Sequence, residues 1–83
     1  MWNATESVTV FALPERSEEE LEALQTRLQA LLGYAVRELR LSWEGNGVVL
    51  QGRAKRFYAK QLAQTMLQRL CAYPILANRI EVD

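Results

Sequence analysis

Gly45-Asn46-Gly47-Val48-Val49-Leu50-Gln51-Gly52-Arg53-Ala54-Lys55-Arg56-Phe57-Tyr58-Ala59-Lys60-Gln61-Leu62-Ala63-Gln64-Thr65-Met66 joins a hairpin turn, a buried strand and the front of an amphipathic helix in one unbroken string. Asn46-Gly47 tolerates positive φ and so marks a tight turn. On the strand that follows, Val48, Leu50 and Gly52 are expected to face inward, and Val49, Gln51 and Arg53 outward. Ahead of the turn, Leu39, Leu41 and Trp43 alternate with Glu38, Arg40 and Ser42, the pattern of a partner strand with one buried and one wet face. Beyond Ala54 the period changes. Tyr58, Leu62, Met66 and Leu70 recur at helical spacing with Ala59 and Ala63 beside them, predicting a second helix from about Lys55 to Cys71 that Tyr73-Pro74 ends.

The remaining elements follow outward from this string. Ile75 to Val82 reads as a closing strand, with Leu76, Ile80 and Val82 inward and Arg79 and Glu81 outward. Upstream, Ser17-Glu18-Glu19-Glu20 has the Ser-x-x-Glu form of a capping box, with carboxylates suited to the positive end of a helix dipole. Leu21, Leu24, Leu28 and Leu31 then form one stripe, and Gly33 supplies a stop. Residues 1–16 read as a tail or as an extra strand, since Ser7 to Leu13 alternates loosely and is rich in β-branched residues before Pro14. Two helices with one apolar stripe each and three strands with one apolar face pack most economically with both helices on one side. The expected fold is therefore α+β, a two-layer αββαβ sandwich with both helices on one face of a three-stranded sheet, spanning residues 17–83. Its open face would carry Glu38, Arg40, Ser42, Val49, Gln51, Arg53, Arg79 and Glu81.

Composition agrees with one small domain. Eighty-three residues, 49% hydrophobic and 24% charged, are ordinary for a folded chain. A domain of this size buries only about 60 to 65% of its unfolded surface, so modest stability is expected. The single cysteine, Cys71, excludes an internal disulfide and reads as a buried small hydrophobe. No signal peptide is legible in Met1 to Leu13 and no apolar run approaches a membrane span, which places the chain in the cytoplasm as written, or in the periplasm or at a membrane if a leader is missing. Net charge is zero, yet sorted along the chain: residues 1–26 carry six glutamates against Arg16, a net of minus five, and the remainder nine Lys or Arg against four acids, a net of plus five. Such blocks let a basic region meet anions although the whole is neutral.

The residue types that catalysis needs are scarce. With no histidine, histidine acid–base chemistry, Ser-His-Asp triads and most zinc sites drop out, and one cysteine forms no thiolate cluster. Glu18, Glu19, Glu20 and Glu22 lie on an exposed first turn with no apolar pocket to raise a pKa, so they read as capping and solubility. Gly45, Gly47 and Gly52 do not form a phosphate-cradling loop before a helix. A non-enzyme without cofactor or metal is expected. The inconsistent stretch is Lys55-Arg56-Phe57-Tyr58-Ala59-Lys60: cations at a helix start oppose its dipole, and no Ser, Thr, Asp or Asn stands immediately ahead to cap it. Lys55, Arg56 and Lys60 beside free N–H groups suit a phosphate or lipid headgroup, with Phe57 as an apolar wedge. The alternative is that Lys55 and Arg56 pair with carboxylates of the first helix or tail while Phe57 belongs to the core.

Gly47-Val48-Val49-Leu50-Gln51-Gly52-Arg53-Ala54, the helix containing Phe57-Tyr58-Ala59-Lys60-Gln61-Leu62-Ala63-Gln64, and the closing Asn78-Arg79-Ile80-Glu81-Val82 together resemble the BON domain, named after bacterial osmotically inducible and nodulation-related proteins. The similarity covers residues 17–83 and rests on glycine and apolar positions that define the fold, so it carries over no functional residue. Where that family has a longer Val-Gly-containing connection before its last strand, this chain has Cys71-Ala72-Tyr73-Pro74-Ile75. The resemblance implies a non-catalytic module that attaches to phospholipid surfaces or to partner proteins. The element order also resembles a stripped-down KH-type RNA-binding domain, but the Gly-x-x-Gly clamp of that class is missing, since Gly45 and Gly47 are two apart and lie between strands, and this disfavours nucleic acid. The expected function is thus a binding or adaptor module for anionic lipid headgroups. The alternative is a protein-interaction or self-association module in which Val8, Val10 and Phe11 add a strand to a sheet edge, giving a homodimer.

Overall fold

The computed structural model describes residues 17–83, and the expected tail or strand at residues 1–16 lies outside the described residues. Helix α1 runs from Glu18 to Leu32 and is followed by a 3-10 turn over Gly33–Ala35; β1 spans Val36–Glu44, β2 Gly47–Ala54, α2 Phe57–Leu70 and β3 Ile75–Val82. The sheet is ordered β1-β2-β3, with β1 antiparallel and β3 parallel to β2. Leu21, Leu24, Leu28 and Leu32 of α1 and Ala59, Ala63 and Leu67 of α2 close one core over Val36, Leu39, Leu41, Val48, Leu50 and Ile80 of the sheet. This is the expected α+β sandwich. The helices lie side by side in opposite directions, because one groove joins the start of α1 to Leu70 and Cys71 while another joins Tyr34 and Ala35, just past α1, to Tyr58 and Leu62.

Local chemistry fixes the ends of these elements. The Ser17 hydroxyl accepts a hydrogen bond from the Glu20 N–H at 3.0 Å, one half of the expected capping box, and Gly33 ends α1 at φ +57°. The hairpin turns through Gly45 and Asn46, and the positive φ falls on Gly45 (+57°) rather than on Asn46, which is the type II′ choice of glycine at the first central position. Trp43, half-buried, donates its indole N–H to the Ser17 carbonyl at 3.2 Å and meets the Tyr73 ring edge-on at 5.0 Å.

Several expected burial assignments are corrected. Tyr58 is 67% exposed and the most buried stripe of α2 is Ala59, Ala63 and Leu67, one residue round from the expected one, with Leu62, Met66 and Leu70 half-buried at its flank. The two alanines let the helix axis come close to the sheet, and the larger side chains then straddle the contact. Of the expected inward set on β3 only Ile80 is buried, while Leu76 (46% exposed) and Val82 (41%) are not. The cause at Leu76 is a bulge: Ile75 pairs with Val48 and Asn78 with Leu50, so three steps on β3 oppose two on β2, and Leu76 lies over Gly47 instead. Val49, expected on the wet face, stands apart from the core cluster but is fully buried, flanked across the strands by Ser42 and Ala77. On the helix side, Leu31 is exposed and Leu32 takes the last core position of α1. A second bulge interrupts β1 between Arg37 and Arg40, where Glu38 adopts φ +57°.

Candidate functional site

Lys55 and Arg56 fall in the two-residue link between β2 and α2, ahead of the helix rather than inside its first turn as expected, and Arg56 is the N-cap residue. Its backbone is extended and no side chain caps the helix, so the leading N–H groups of α2 have no side-chain acceptor among the described residues. The acids that usually occupy a first turn are missing from α2. This end of the helix is therefore locally positive from two sources, the backbone dipole and the two cations.

A groove of about 450 Å³ opens beside this link, lined by Tyr34, Ala35, Arg37, Lys55, Arg56, Tyr58, Ala59 and Leu62. Three of these side chains are aliphatic, two are tyrosines, and the charged ones are all positive. Tyr34 is 98% exposed and Tyr58 67%. The cations differ in state. Arg37 is held by Asp83 at 2.8 Å, whereas Lys55 and Arg56 form no ion pair among the described residues. The other ion pairs, Arg53 with Glu81 and Asp83 and Arg79 with Glu44, belong to the sheet, and none reaches the glutamates of α1. The pairing of Lys55 and Arg56 with first-helix carboxylates does not occur, their pairing with tail carboxylates lies outside the described residues, and Phe57, 59% exposed, is not core.

Of the four residues expected to bind an anion, Lys55 and Arg56 come together at the groove, and Phe57 lies next to them in sequence without lining it. Lys60 is half-buried and away from the lining, and its carbonyl accepts a hydrogen bond from the Asn78 amide at 2.9 Å. Tyr34, Arg37 and Tyr58 are the participants that sequence reasoning missed. Helical spacing alone points Tyr58 to the core. Tyr34 reaches the site only because α1 and α2 run in opposite directions, and no local signal marks it apart from an aromatic residue directly after a glycine stop.

Nothing among the described residues assembles three or more potential metal ligands. Cys71 is half-buried, and its sulfur accepts from the Tyr73 N–H at 3.4 Å. No helix of the described residues is long and apolar enough to cross a membrane. No family model matches the chain, and searches of curated proteins and of solved structures find no match.

Proposed function

We propose that the chain is a non-catalytic binding or adaptor module that attaches to anionic phospholipid surfaces through the end of the molecule where α2 begins. The observation that carries this reading is the pair of cations, Lys55 and Arg56, that have no ion-pair partner among the described residues and line an apolar groove together with two exposed tyrosines. Amphipathic rings and long cationic side chains are the residues that settle at the level of lipid headgroups. Leu31 and Phe57, both more than half exposed, flank the same end and add apolar surface there. Each cation near an anionic leaflet contributes about 1 kcal/mol.

Co-sedimentation with vesicles tests the proposal. Retention is expected on vesicles containing phosphatidylglycerol and not on pure phosphatidylcholine, and Lys55→Glu combined with Arg56→Glu should lower it by about thirtyfold or more, the factor that two such contributions give. Equal retention on both vesicle types, or retention indifferent to the double substitution, overturns the reading.

A further inference from the structure

We infer that the groove between Tyr34 and Tyr58 takes one acyl chain of an anionic phospholipid, drawn out of the leaflet, with the phosphate at Lys55 and Arg56. The inference rests on the surface-attachment reading and deepens it from contact with headgroups to recognition of a whole amphiphile. A site for a headgroup alone is built of polar groups around the anion. Here the adjacent cations Lys55 and Arg56 share the lining with Ala35, Ala59, Leu62 and two tyrosine rings. The one other cation on the lining, Arg37, already has its carboxylate partner in Asp83. A lining that joins cations to hydrocarbon matches a molecule with both parts, and about 450 Å³ lies in the range of small-ligand pockets. A helical peptide about 10 Å across is a poorer fit to a groove this small and asks for no phosphate.

The probes are lysophosphatidylglycerols with octanoyl, decanoyl and dodecanoyl chains, kept below their micelle concentrations, with glycerol 3-phosphate as the headgroup without a chain. Binding is followed by amide chemical shifts. Affinity should rise about threefold to fourfold per added methylene while the groove has room, and shifts should gather at Ala35 and from Lys55 to Leu62. Ala35→Trp fills the groove from an exposed position and should flatten the chain-length series. Tyr34→Ala guards against a folding defect in that variant, because a 98% exposed ring supports no core, and it too should reduce the slope.

Equal affinities across the series and for glycerol 3-phosphate overturn the groove inference; if vesicle retention still depends on Lys55 and Arg56, surface attachment survives alone. A steep series without retention on anionic vesicles overturns the bilayer as the source and makes the ligand a free amphiphile. If neither vesicles nor amphiphiles bind, both readings fall together.

Discussion

At the scale of single residues, three positions have duties that their side-chain chemistry alone does not announce. Gly47 opens β2 beside the start of β3: a Cβ there would meet the Pro74 carbonyl oxygen and stand 2.7 Å from Leu76 Cγ. Because that carbonyl also accepts the Val48 N–H at 2.9 Å, it has little freedom to retreat. Gly47→Ala is therefore expected to cost about 1–3 kcal/mol, seen as a lower urea midpoint with an unchanged m-value; an unshifted midpoint would show that the contact between the starts of β2 and β3 is looser than its geometry. Glu38, the one non-glycine residue at positive φ among those described, sits where the β1 bulge turns the chain. The left-handed region costs an L residue about 1–2 kcal/mol, and a β-branched one more. Glu38→Gly should exceed Glu38→Val in stability by at least about 1 kcal/mol, and equality of the two in urea would refute the strained geometry. Asn78 occupies the helix-facing position between Ile75 and Ile80. Its amide donates to the Lys60 carbonyl and to Gln64 Oε1 at 3.3 Å, and its Oδ1 accepts the Ile80 N–H at 3.2 Å.

At the scale of elements, the same use of carboxamides recurs at the other side of the sheet. Among the described residues the outer edge of β1 has no strand partner, but Gln25 Oε1 accepts the Leu41 N–H at 2.9 Å and Gln29 donates to the Val36 carbonyl at 2.9 Å. Being four apart, both glutamines lie on the side of α1 that overhangs the strand. Edge N–H and C=O groups that have local partners are less available as a template, which bears on the self-association alternative. Gln25→Leu keeps the side-chain bulk but leaves the Leu41 N–H without its acceptor, so a loss of about 1–3 kcal/mol in urea unfolding is expected. A stability equal to that of the parent chain would mean that water serves that N–H as well as the glutamine does. Elements of this kind were legible in the sequence wherever a period or a stop declared them: both helices, the hairpin and the closing strand follow from Ser17, Gly33, the Gly45–Gly47 turn and Pro74. Phase and bulges were not. Tyr58-Leu62-Met66 and Ala59-Ala63-Leu67 have the same spacing, and only docking against a sheet decides in favour of the stripe with two small residues. The bulge that reverses Leu76 arises from how β3 meets β2, which no property of Ile75–Val82 alone expresses. The candidate site divides along the same line, with Lys55 and Arg56 found by a local contradiction and Tyr34 brought in by helix packing.

At the scale of the whole molecule, zero net charge hides a separation. Glu18, Glu19, Glu20 and Glu22 crowd the first turns of α1, and Lys55 and Arg56 lie beyond its far end, next to Tyr34. A helix of 15 residues spans about 22 Å, more than twice the screening length of about 8 Å at physiological salt. The two ends therefore act nearly independently, and what an anionic surface meets depends on which end approaches. This gives a test in which net charge and local charge predict opposite orders. Neutralising Glu18, Glu19 and Glu20 to Gln raises the net charge by three, and if the total governed attachment this triple variant would bind phosphatidylglycerol vesicles more tightly than the parent. If the local field governs, at physiological salt it should bind within about twofold of the parent, while Lys55→Gln with Arg56→Gln loses about thirtyfold. At low ionic strength, where the screening length grows to about 30 Å, the triple variant should begin to gain affinity, because the acidic turns then reach the surface through the solvent. Co-sedimentation across a salt series reads both effects, and a gain for the triple variant that is undiminished at physiological salt would show that the basic-aromatic end is not what the membrane selects.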